Sequence, residues 1–375
     1  MRVLHLHSTF DPGGKELRSV QLINAFGPKI QHRIVSAMPH ALGAARHLSP
    51  AIPVTVQSDF PALAGRPTPG RLLALARAMQ GYDLVLTYNW GAMDAVMAHT
   101  IYARSLRLPP LVHHEDGFNA DEAQRLKPLR NLYRRLALHG AYALVVPSAR
   151  LERIALNIWQ QPRAKVHRIP NGIATGRFGR KVRRDSLPNL IKRPGECWLG
   201  TMAGLRAVKN LPRLVRVFAD LPEHWHLVIM GEGPERDTIM AEALSLEVQH
   251  RVHLPGFAAD PSAVMGLFDL FALSSDSEQF PISVVEAMAA GLAVAAPAVG
   301  DVAQIVAEEN RPFITPAGDE TALAGVLQEL AQDESLRARL GVANRARAKR
   351  EFDEKAMIEA YRGIYGAALG GARFA

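Results

Sequence analysis

The chain has 375 residues, of which 48% are hydrophobic and 21% are charged, a composition typical of a globular protein and not of a disordered one. Its single cysteine, Cys197, excludes an intrachain disulfide, and no run of 18 apolar residues is present to form a membrane span. The net charge of +8 is unevenly distributed: residues 1–190 carry +15 and residues 191–375 carry −7, which predicts two domains and an anionic partner for the first.

Short apolar runs alternate with helix-period segments along the first half of the chain. Strands are predicted at residues 2–7, 32–37, 83–88, 111–114, 143–147 and 166–169. Helices are predicted at residues 15–25, 71–79, 121–138 and 149–157. This alternation is typical of a parallel sheet with helices on both faces.

The pattern stops after residue 172 and restarts near residue 197, so the basic segment 177–194 is interpreted as a linker. Strands are then predicted at residues 197–203, 226–230, 252–254, 270–274 and 293–296. Helices are predicted at residues 211–220, 234–246, 283–290, 301–308, 320–330, 334–350 and 354–369. We therefore predict two doubly wound α/β domains, 1–190 and 191–352, facing a cleft, and a C-terminal helical segment, 353–375.

Two motifs at strand ends in the first half contain candidate site residues. Gly13 and Gly14 precede the first helix, where glycine lets the backbone approach a ligand and free N–H groups favour an anion; an ordinary Pro-Gly turn is an equal alternative. His113 and His114 end a strand, so at most one of them can point into a given cleft. The alternative is that one histidine packs and the other is solvated.

Arg206 and Lys209 lie just after the first strand of the second half. Two cations at that location suit a diphosphate, although a solvated basic turn is the alternative. After the next strand, Gly231 and Gly233 begin like a dinucleotide-binding fingerprint. The third glycine is missing and Pro234 follows, which disfavours a nicotinamide cofactor.

Residues 274–300 contain the densest pattern. Glu278 is predicted in a loop, and Glu286 in the first turn of a helix that begins near Ser283. Two carboxylates beside the free amides of a helix start would suit the hydroxyls and phosphates of a nucleotide sugar. Ser283 and Glu286 also have the spacing of a capping box, and spacing alone favours that role for Glu286.

In this order the motifs resemble the retaining glycosyltransferases of family 4, which have the GT-B fold. The resemblance also rests on Pro147-Ser148, Ile169-Pro170-Asn171-Gly172-Ile173, Leu254-Pro255-Gly256-Phe257 and Glu278-x7-Glu286 followed by Ala287-Met288-Ala289-Ala290-Gly291. It implies transfer of a sugar from a nucleotide sugar to a glycan or lipid-linked acceptor during polysaccharide or glycolipid synthesis. It also implies that the C-terminal helical segment, 353–375, packs back on the first domain.

The resemblance also implies roles for individual residues. Arg206 and Lys209 would stabilise the leaving diphosphate, Glu278 would contact the transferred sugar, and Glu286 would hold the ribose. The other donor-binding positions that it implies are Gly13, Gly14, Gly231, Gly233, Pro255, Gly256, Phe257, Ile282, Ser283 and Val284.

One family position stays open in this chain. The family's active-site histidine aligns with His113 or His114, whereas a shifted alignment places Asp116 there. The loop after Glu278 also departs from the usual Glu-Gly-Phe-Gly, because it contains Gln279 and Pro281. We expect these two residues to stiffen the loop and change its contacts near the sugar.

No metal and no cofactor are expected beyond a UDP- or GDP-linked co-substrate. No Asp-x-Asp pair occurs, and preorganised cations can replace a metal at a departing diphosphate. A nucleotide-sugar epimerase of the same fold is the alternative function. A basic nucleic-acid-binding protein is the alternative from another class, but no recognition motif supports it, and no nucleic-acid partner is expected.

The region 121–138 carries a cluster of basic residues. Lys127, Arg130 and Arg134 share one helical face, and leucines at 126, 129, 132 and 136 supply apolar surface. An amphipathic basic helix can lie on an anionic membrane. Our hypothesis is a cytoplasmic protein peripheral to the inner membrane face, and a solvated helix face is the alternative.

Overall fold

A computed structural model describes residues 1–56, 59–118, 120–122, 125–179, 182–187, 190–371 and 374. The chain divides into two compact units, the first made of Met1–Asn171 with Met357–Ala375 and the second of Gly172–Ala356. The division falls after Asn171 and not at residue 190 as predicted. The reason is that Phe178 and Leu187, in the predicted linker, are buried in the core of the second unit.

The first unit contains a seven-stranded parallel sheet of order β3-β2-β1-β4-β5-β6-β7. Its strands are β1 (Arg2–His7), β2 (Gln31–Ser36), β3 (Val54–Val56), β4 (Leu84–Tyr88), β5 (Leu111–His114), β6 (Ala143–Val146) and β7 (Val166–Arg168). The strand order reverses between β1 and β4, so the carboxyl ends of these two strands form the topological switch point at which open α/β sheets bind ligands.

In the part of the first unit that the structure describes, five α-helices connect these strands. They are α1 (Gly14–Phe26), α2 (Pro69–Ala78), α3 (Met93–Leu106), α4 (Pro128–Ala137) and α5 (Ala149–Asn157). The sequence did not predict β3, a short and partly exposed strand, or α3. The predicted helix over 121–138 is shorter because Pro128 occupies the first turn, where its missing N–H costs nothing.

The second unit contains a six-stranded parallel sheet of order β10-β9-β8-β11-β12-β13. Its strands are β8 (Cys197–Met202), β9 (Trp225–Met230), β10 (Val252–Gly256), β11 (Leu270–Ala272), β12 (Val294–Pro297) and β13 (Ile314–Thr315). Its helices are α6 (Leu211–Ala219), α7 (Arg236–Ser245), α8 (Ile282–Ala290), α9 (Val302–Ile305), α10 (Glu320–Gln332) and α11 (Glu334–Glu351). The two-residue strand β13 was not predicted.

Both faces of the second sheet are buried. Along β9, Leu227 and Ile229 belong to one hydrophobic cluster, and Val228 and Met230 belong to the other. Successive strand residues face opposite sides, so the two clusters cover the two faces. This explains why the strands appear in the sequence as continuous apolar runs and not as alternating ones.

The last helix, α12 (Glu354–Ala368), supplies core residues to the first unit. Met357, Tyr361 and Tyr365 are buried there, and the Tyr365 ring packs edge-on against Phe26 at 5.9 Å. Among the described residues, none of the helices combines the length and the apolar character that crossing a membrane requires.

Candidate functional site

The loops that follow β8 and β11 meet at the carboxyl edge of the second sheet. The amide of Asp276 donates to the carbonyl of Val208 at 2.9 Å, and the Ser274 hydroxyl donates to the carbonyl of Lys209 at 3.0 Å. These bonds fix the loop that carries Glu278 against the loop that carries Arg206 and Lys209. The parallel order of the strands brings these residues together, as the sequence predicted.

Lys209 and Glu278 form an ion pair at this edge. The Lys209 ammonium lies 2.5 Å from the Glu278 carboxylate, which also accepts a hydrogen bond from Ser275 at 2.8 Å. The two charged side chains are only 15% and 11% exposed. Glu278 therefore holds the Lys209 ammonium in place, and this ammonium can also donate to an incoming phosphate.

Arg206 is an exposed cation in the same loop. Its backbone is extended, and a short turn, Ala207–Lys209, separates it from α6. Within the described part of the chain, its guanidinium has no recorded ion pair. At this edge the charges of Lys209 and Arg213 are paired with Glu278 and Asp276, whereas that of Arg206 is not paired among the described residues. Arg206 therefore gives the edge a positive charge that can attract a diphosphate.

Glu286 does not cap its helix, so the capping-box interpretation is wrong. Helix α8 begins at Ile282 after Pro281, which makes no side-chain cap. Ser283 is therefore the second helical residue, and Glu286 lies beyond the first turn, where it cannot reach back. The actual helix start is one residue earlier than predicted because Pro281 ends the loop.

The Glu286 carboxyl is instead enclosed by protein while the residue stays partly exposed. This burial raises the pKa of Glu286 to about 8, and the charge of Asp260 adds to the shift. Among the described residues no hydrogen bond or ion pair to this carboxyl is recorded. Glu286 is therefore mostly protonated at neutral pH and is available to a ligand.

The first turn of α8 offers fewer free amides than the resemblance implied. The amide of Val284 donates to the carbonyl of Pro281 at 3.1 Å. The amides of Ile282 and Ser283 have no acceptor within the helix. These two N–H groups are the ones that remain for an anion.

The glycine turn after β9 packs on the loop after β8. Gly231 and Gly233 have φ values of +145° and +153°, and a β-carbon on them would lie 1.9 Å from the carbonyl oxygen of Ala203 and 2.4 Å from that of Leu205. The close packing of two backbones therefore explains both glycines. A ligand contact is not needed to account for them.

We predict that Gly231→Ala lowers the free energy of unfolding by about 3 kcal/mol or more, because the new methyl group meets a backbone carbonyl at a strained φ. Gly325→Ala is the control, because this helical glycine faces open space. Its substitution should raise the free energy of unfolding by about 0.5–1 kcal/mol. Urea unfolding of both variants measures the difference. Equal stability of the two variants would contradict the packing account.

The end of β10 lies beside the glycine turn. The amide of Gly231 donates to the carbonyl of Gly256 at 2.9 Å. Pro255 is partly buried, whereas the next aromatic residue, Phe257, is 63% exposed. The exposed Phe257 ring gives this edge a flat apolar surface on which another planar ring can stack.

Gly13 and Gly14 lie at the start of α1 in the first unit. A β-carbon on Gly13 would lie 2.7 Å from a carboxylate oxygen of Glu16, so this glycine makes room for a buried acid. Burial raises the pKa of Glu16, and the adjacent Lys15 opposes this rise. Gly14 is the first residue of the helix.

His113 and His114 face opposite sides of the first sheet, and both are buried. His113 Nδ1 lies 2.8 Å from the Thr87 hydroxyl, and His114 Nε2 lies 2.8 Å from the Tyr365 hydroxyl. Burial, with the nearby Arg18 charge, lowers the pKa of His114 well below its usual value. Packing accounts for the positions of both histidines, and their role in transfer stays a prediction.

Sequence reasoning missed Arg18, which organises the polar residues beside these histidines. Arg18 is 4% exposed, makes a two-pronged ion pair with Asp116, and donates to the side chain of Asn171 at 3.0 Å. Its guanidinium also lies over the Tyr361 ring at 5.6 Å. A charged residue on the buried face of α1 was the only signal in the sequence.

The basic face predicted on α4 is not a free surface. Arg134 is 0% exposed and pairs with Glu122 at 2.9 Å. Arg130 contacts Asp121 at 2.9 Å, and Lys127 contacts the same carboxylate at 2.5 Å. The prediction of an open Lys127, Arg130 and Arg134 face is wrong because Asp121 and Glu122, just before the helix, fold back onto it.

Comparison with known proteins decides the family. A model described as "Glycosyl transferase 4-like domain" matches residues 20–172, and one described as "Glycosyl transferases group 1" matches residues 186–347. The chain belongs to the group 1 glycosyltransferases. Among the described residues of this glycosyltransferase, no group of three His, Cys, Asp or Glu side chains is placed to hold a metal ion.

Curated relatives of this glycosyltransferase are about a quarter identical to it over the residues that align. N-acetyl-alpha-D-glucosaminyl L-malate synthase of Bacillus anthracis is 26% identical over 44% of this chain and 44% of its own. D-inositol 3-phosphate glycosyltransferase of Xylanimonas cellulosilytica is 26% identical over 81% of this chain and 78% of its own. The match thus spans under half of the first relative and about three quarters of the second.

Solved structures confirm the fold. HepE of Anabaena, solved in complex with UDP, gives a TM-score of 0.80 at 21% identity, covering 98% of this chain and 100% of its own. Sucrose-phosphate synthase of Thermosynechococcus elongatus gives 0.75 at 20% identity over the same shares. The predicted GT-B type, with two doubly wound parallel sheets, is confirmed by this likeness.

Proposed function

We propose that this glycosyltransferase takes its sugar from a nucleoside-diphosphate donor bound at the carboxyl edge of the second sheet, and passes it with retention, without a metal, to a glycan or lipid-linked acceptor. The observation that carries the proposal is the free cation of Arg206 beside the positioned pair of Lys209 and Glu278. HepE, which shares the fold, was solved with UDP and with UDP-glucose. UDP is therefore the first nucleotide to test.

The chain's own residues supply the stabilisation that the leaving group needs. When the bond between the anomeric carbon and the diphosphate breaks, negative charge grows on the phosphate that Arg206 and Lys209 face. The acceptor hydroxyl forms the new bond on the same side of the sugar, and its proton passes to the leaving phosphate. No protein nucleophile takes part in this step.

Two carboxyl groups complete the proposed donor site. Glu278, held by Lys209 and Ser275, contacts the transferred sugar. Glu286 accepts hydrogen bonds from the ribose, and Phe257 lies against the base with Pro255. A location in the cytoplasm, at the inner membrane face, accompanies this proposal because both the donor and a lipid-linked acceptor would be available there.

Calorimetric titration with UDP, UDP-glucose, GDP and GDP-mannose in the presence of EDTA tests the donor site. We expect the ligands of one base, uracil or guanine, to bind. Arg206→Ala should weaken that binding by about 10–100-fold, because a charge-assisted contact is lost. Arg339→Ala removes another exposed arginine, from α11, and should bind like the wild type. If no nucleotide binds, or if both variants behave alike, the proposed donor site is wrong.

A further inference from the structure

The first sheet carries four buried histidines on one face. His5 and His7 lie on β1, His32 lies on β2 and His114 lies on β5, and each is at most 2% exposed. The parallel register of β1, β2, β4 and β5 turns all four side chains to the same side. We call these four residues the histidine cluster. A charged side chain is rarely buried this completely without a partner of opposite charge, so the fold accommodates these rings in their uncharged form.

Tyr88 of β4 joins the histidine cluster. Its ring stacks on His7 with the centroids 3.9 Å apart and on His114 with the centroids 4.6 Å apart. Its hydroxyl lies 3.2 Å from His5 Nδ1, and the rings of His5 and His32 are 5.1 Å apart. Each histidine is therefore close enough to another for a charge on one ring to oppose a charge on the next.

The hydrogen bonds of the cluster need neutral rings. His5 Nε2 lies 2.9 Å from His32 Nδ1, and in this contact one nitrogen donates and the other accepts. If both rings were protonated, two N–H groups would face each other there. His114 Nδ1 donates to the carbonyl of Thr87 at 3.1 Å, so Nε2 of the neutral ring accepts from the Tyr365 hydroxyl at 2.8 Å. Protonation of His114 therefore removes the acceptor that holds this hydroxyl of α12.

Positive charge on the cluster would have no free counter-ion. Within the described chain, no ion pair is recorded between these four histidines and a carboxylate. Glu16 on α1 is paired with Lys15, and Asp116 after β5 is paired with Arg18. Lys15 and Arg18 both oppose a charge on His7. The other titratable side chains described around the cluster are the phenols of Tyr88, Tyr361 and Tyr365, whose pKa burial raises, and the His113 ring on the opposite face of β5.

The histidines of the second unit are placed differently. All of them lie in described segments, and they are exposed or partly exposed: His224, His226, His250 and His253. Two of them have a carboxylate nearby, because His250 Nε2 lies 2.8 Å from Glu223 and His226 Nε2 lies 3.7 Å from Glu196. These histidines can take up protons while the unit stays folded. Acid should therefore act on the two units unequally.

Burial sets the direction of the pH dependence. It lowers the pKa of every histidine in the cluster, to about 4 for His32, and the neighbouring histidines add to this effect at His5. Histidine in an unfolded chain has a pKa of about 6.5. Below this value an opened unit binds protons that the folded cluster does not bind, so stability falls as the pH decreases. Each histidine can raise the equilibrium constant for opening by up to about tenfold per pH unit in this range.

We propose that the histidine cluster is an acid-sensitive switch of the first unit. Between about pH 7 and pH 5 the four histidines take up protons, the first unit opens and α12 is released from it, while the second unit keeps its fold. A reaction that needs both units would stop in acid and resume at neutral pH. The switch does not depend on the proposed donor site, which lies in the second unit.

Hydrogen exchange of the whole chain tests the switch, followed by mass spectrometry and corrected for the intrinsic pH dependence of exchange. From pH 7 to pH 5 we expect the protection of residues 84–88, in β4, to fall at least about a thousandfold, because four protons are taken up. The protection of residues 225–230, in β9, should fall by less than about tenfold. Return to pH 7 should restore both. An equal loss in the two units, no loss in the first, or a loss that neutralisation does not reverse would overturn the proposal.

His7→Phe and His32→Gln test the cluster itself. Phenylalanine keeps a ring on Tyr88 and glutamine keeps a donor for His5, but neither residue titrates. Between pH 6 and pH 5 the logarithm of the opening constant of β4 should therefore rise less steeply in each variant, by about one unit per pH unit. His40→Phe, at an exposed position of the first unit, is the matched control and should keep the wild-type slope. If one variant does not fold, the other decides. A wild-type slope in the folded cluster variants, or an equal change in the control, would overturn the switch.

Discussion

Lys209→Ala is expected to lower kcat with the nucleotide sugar that binds best by about 10²–10³-fold. The reason is that, in the donor site we propose, the Lys209 ammonium faces the position where charge grows on the leaving diphosphate, and one such preorganised donor is typically worth this factor. Because the contact strengthens as the bond breaks, KM should change much less than kcat. Release of the nucleoside diphosphate, followed over time, gives both quantities.

The control for Lys209→Ala is Lys192→Ala. Lys192 pairs with Asp269 at 2.5 Å, and its side chain is 14% exposed, against 15% for Lys209. This pair lies just before β11, at the opposite edge of the sheet. Both variants should lose similar stability, but only Lys209→Ala should lose turnover. A similar fall in kcat for both would assign Lys209 a purely structural role.

Much of the candidate site followed from sequence because parallel strands end at one edge. Arg206 and Lys209 come just after β8, and Glu278 comes just after β11, its neighbour in the sheet. Once strand and helix alternation fixes the strand directions, these residues must meet. Local sequence patterns are therefore enough to predict that Lys209 and Glu278, which are 2.5 Å apart, lie close together.

The features that sequence reasoning missed depend on tertiary contacts. The inward turn of Arg134 needs Glu122, which lies outside the helix, and periodicity within the helix does not report such a partner. The burial of Arg18 likewise depends on Asp116 and Asn171, which are far away in sequence. The predicted position of the domain boundary differs from the observed one for a similar reason, because Phe178 is buried in a core that later strands form.

The start of α8 shows how one residue of error changes a functional interpretation. With the helix at Ser283, Glu286 would cap it and would need no ligand. With the helix at Ile282, the same carboxyl has no local partner recorded among the described residues. A one-residue change in the start of α8 does not alter the fold, but it makes Glu286 a candidate for ligand binding instead of a helix cap.

Glu286→Gln is expected to weaken UDP binding about tenfold while making the unliganded protein more stable at high pH. The pKa of Glu286 is about 8 in the folded protein and near its usual 4.5 when unfolded. Between these values the unfolded state has lost the proton that the folded state keeps, so the stability contributed by this group falls as pH rises to about 8. Glutamine has no such proton to lose, so the variant keeps this stability at high pH. Because Glu286 is partly exposed, we expect the gain in the free energy of unfolding at pH 9 to be about 1–3 kcal/mol.

The pH dependence distinguishes this account from a simple packing effect. At pH 4 the wild-type carboxyl is neutral in the folded state and largely neutral in the unfolded state, so the two proteins should be almost equally stable. Glu329→Gln, at an exposed position on α10, makes the same chemical change and should alter neither stability nor binding. Calorimetric scans from pH 4 to pH 9 and UDP titrations provide the two readings. If the variant is less stable at every pH, the Glu286 carboxyl holds α8 in place and the account is wrong. If the variant is more stable only at high pH and binds UDP more weakly, the protein keeps a destabilising buried acid because its donor requires it.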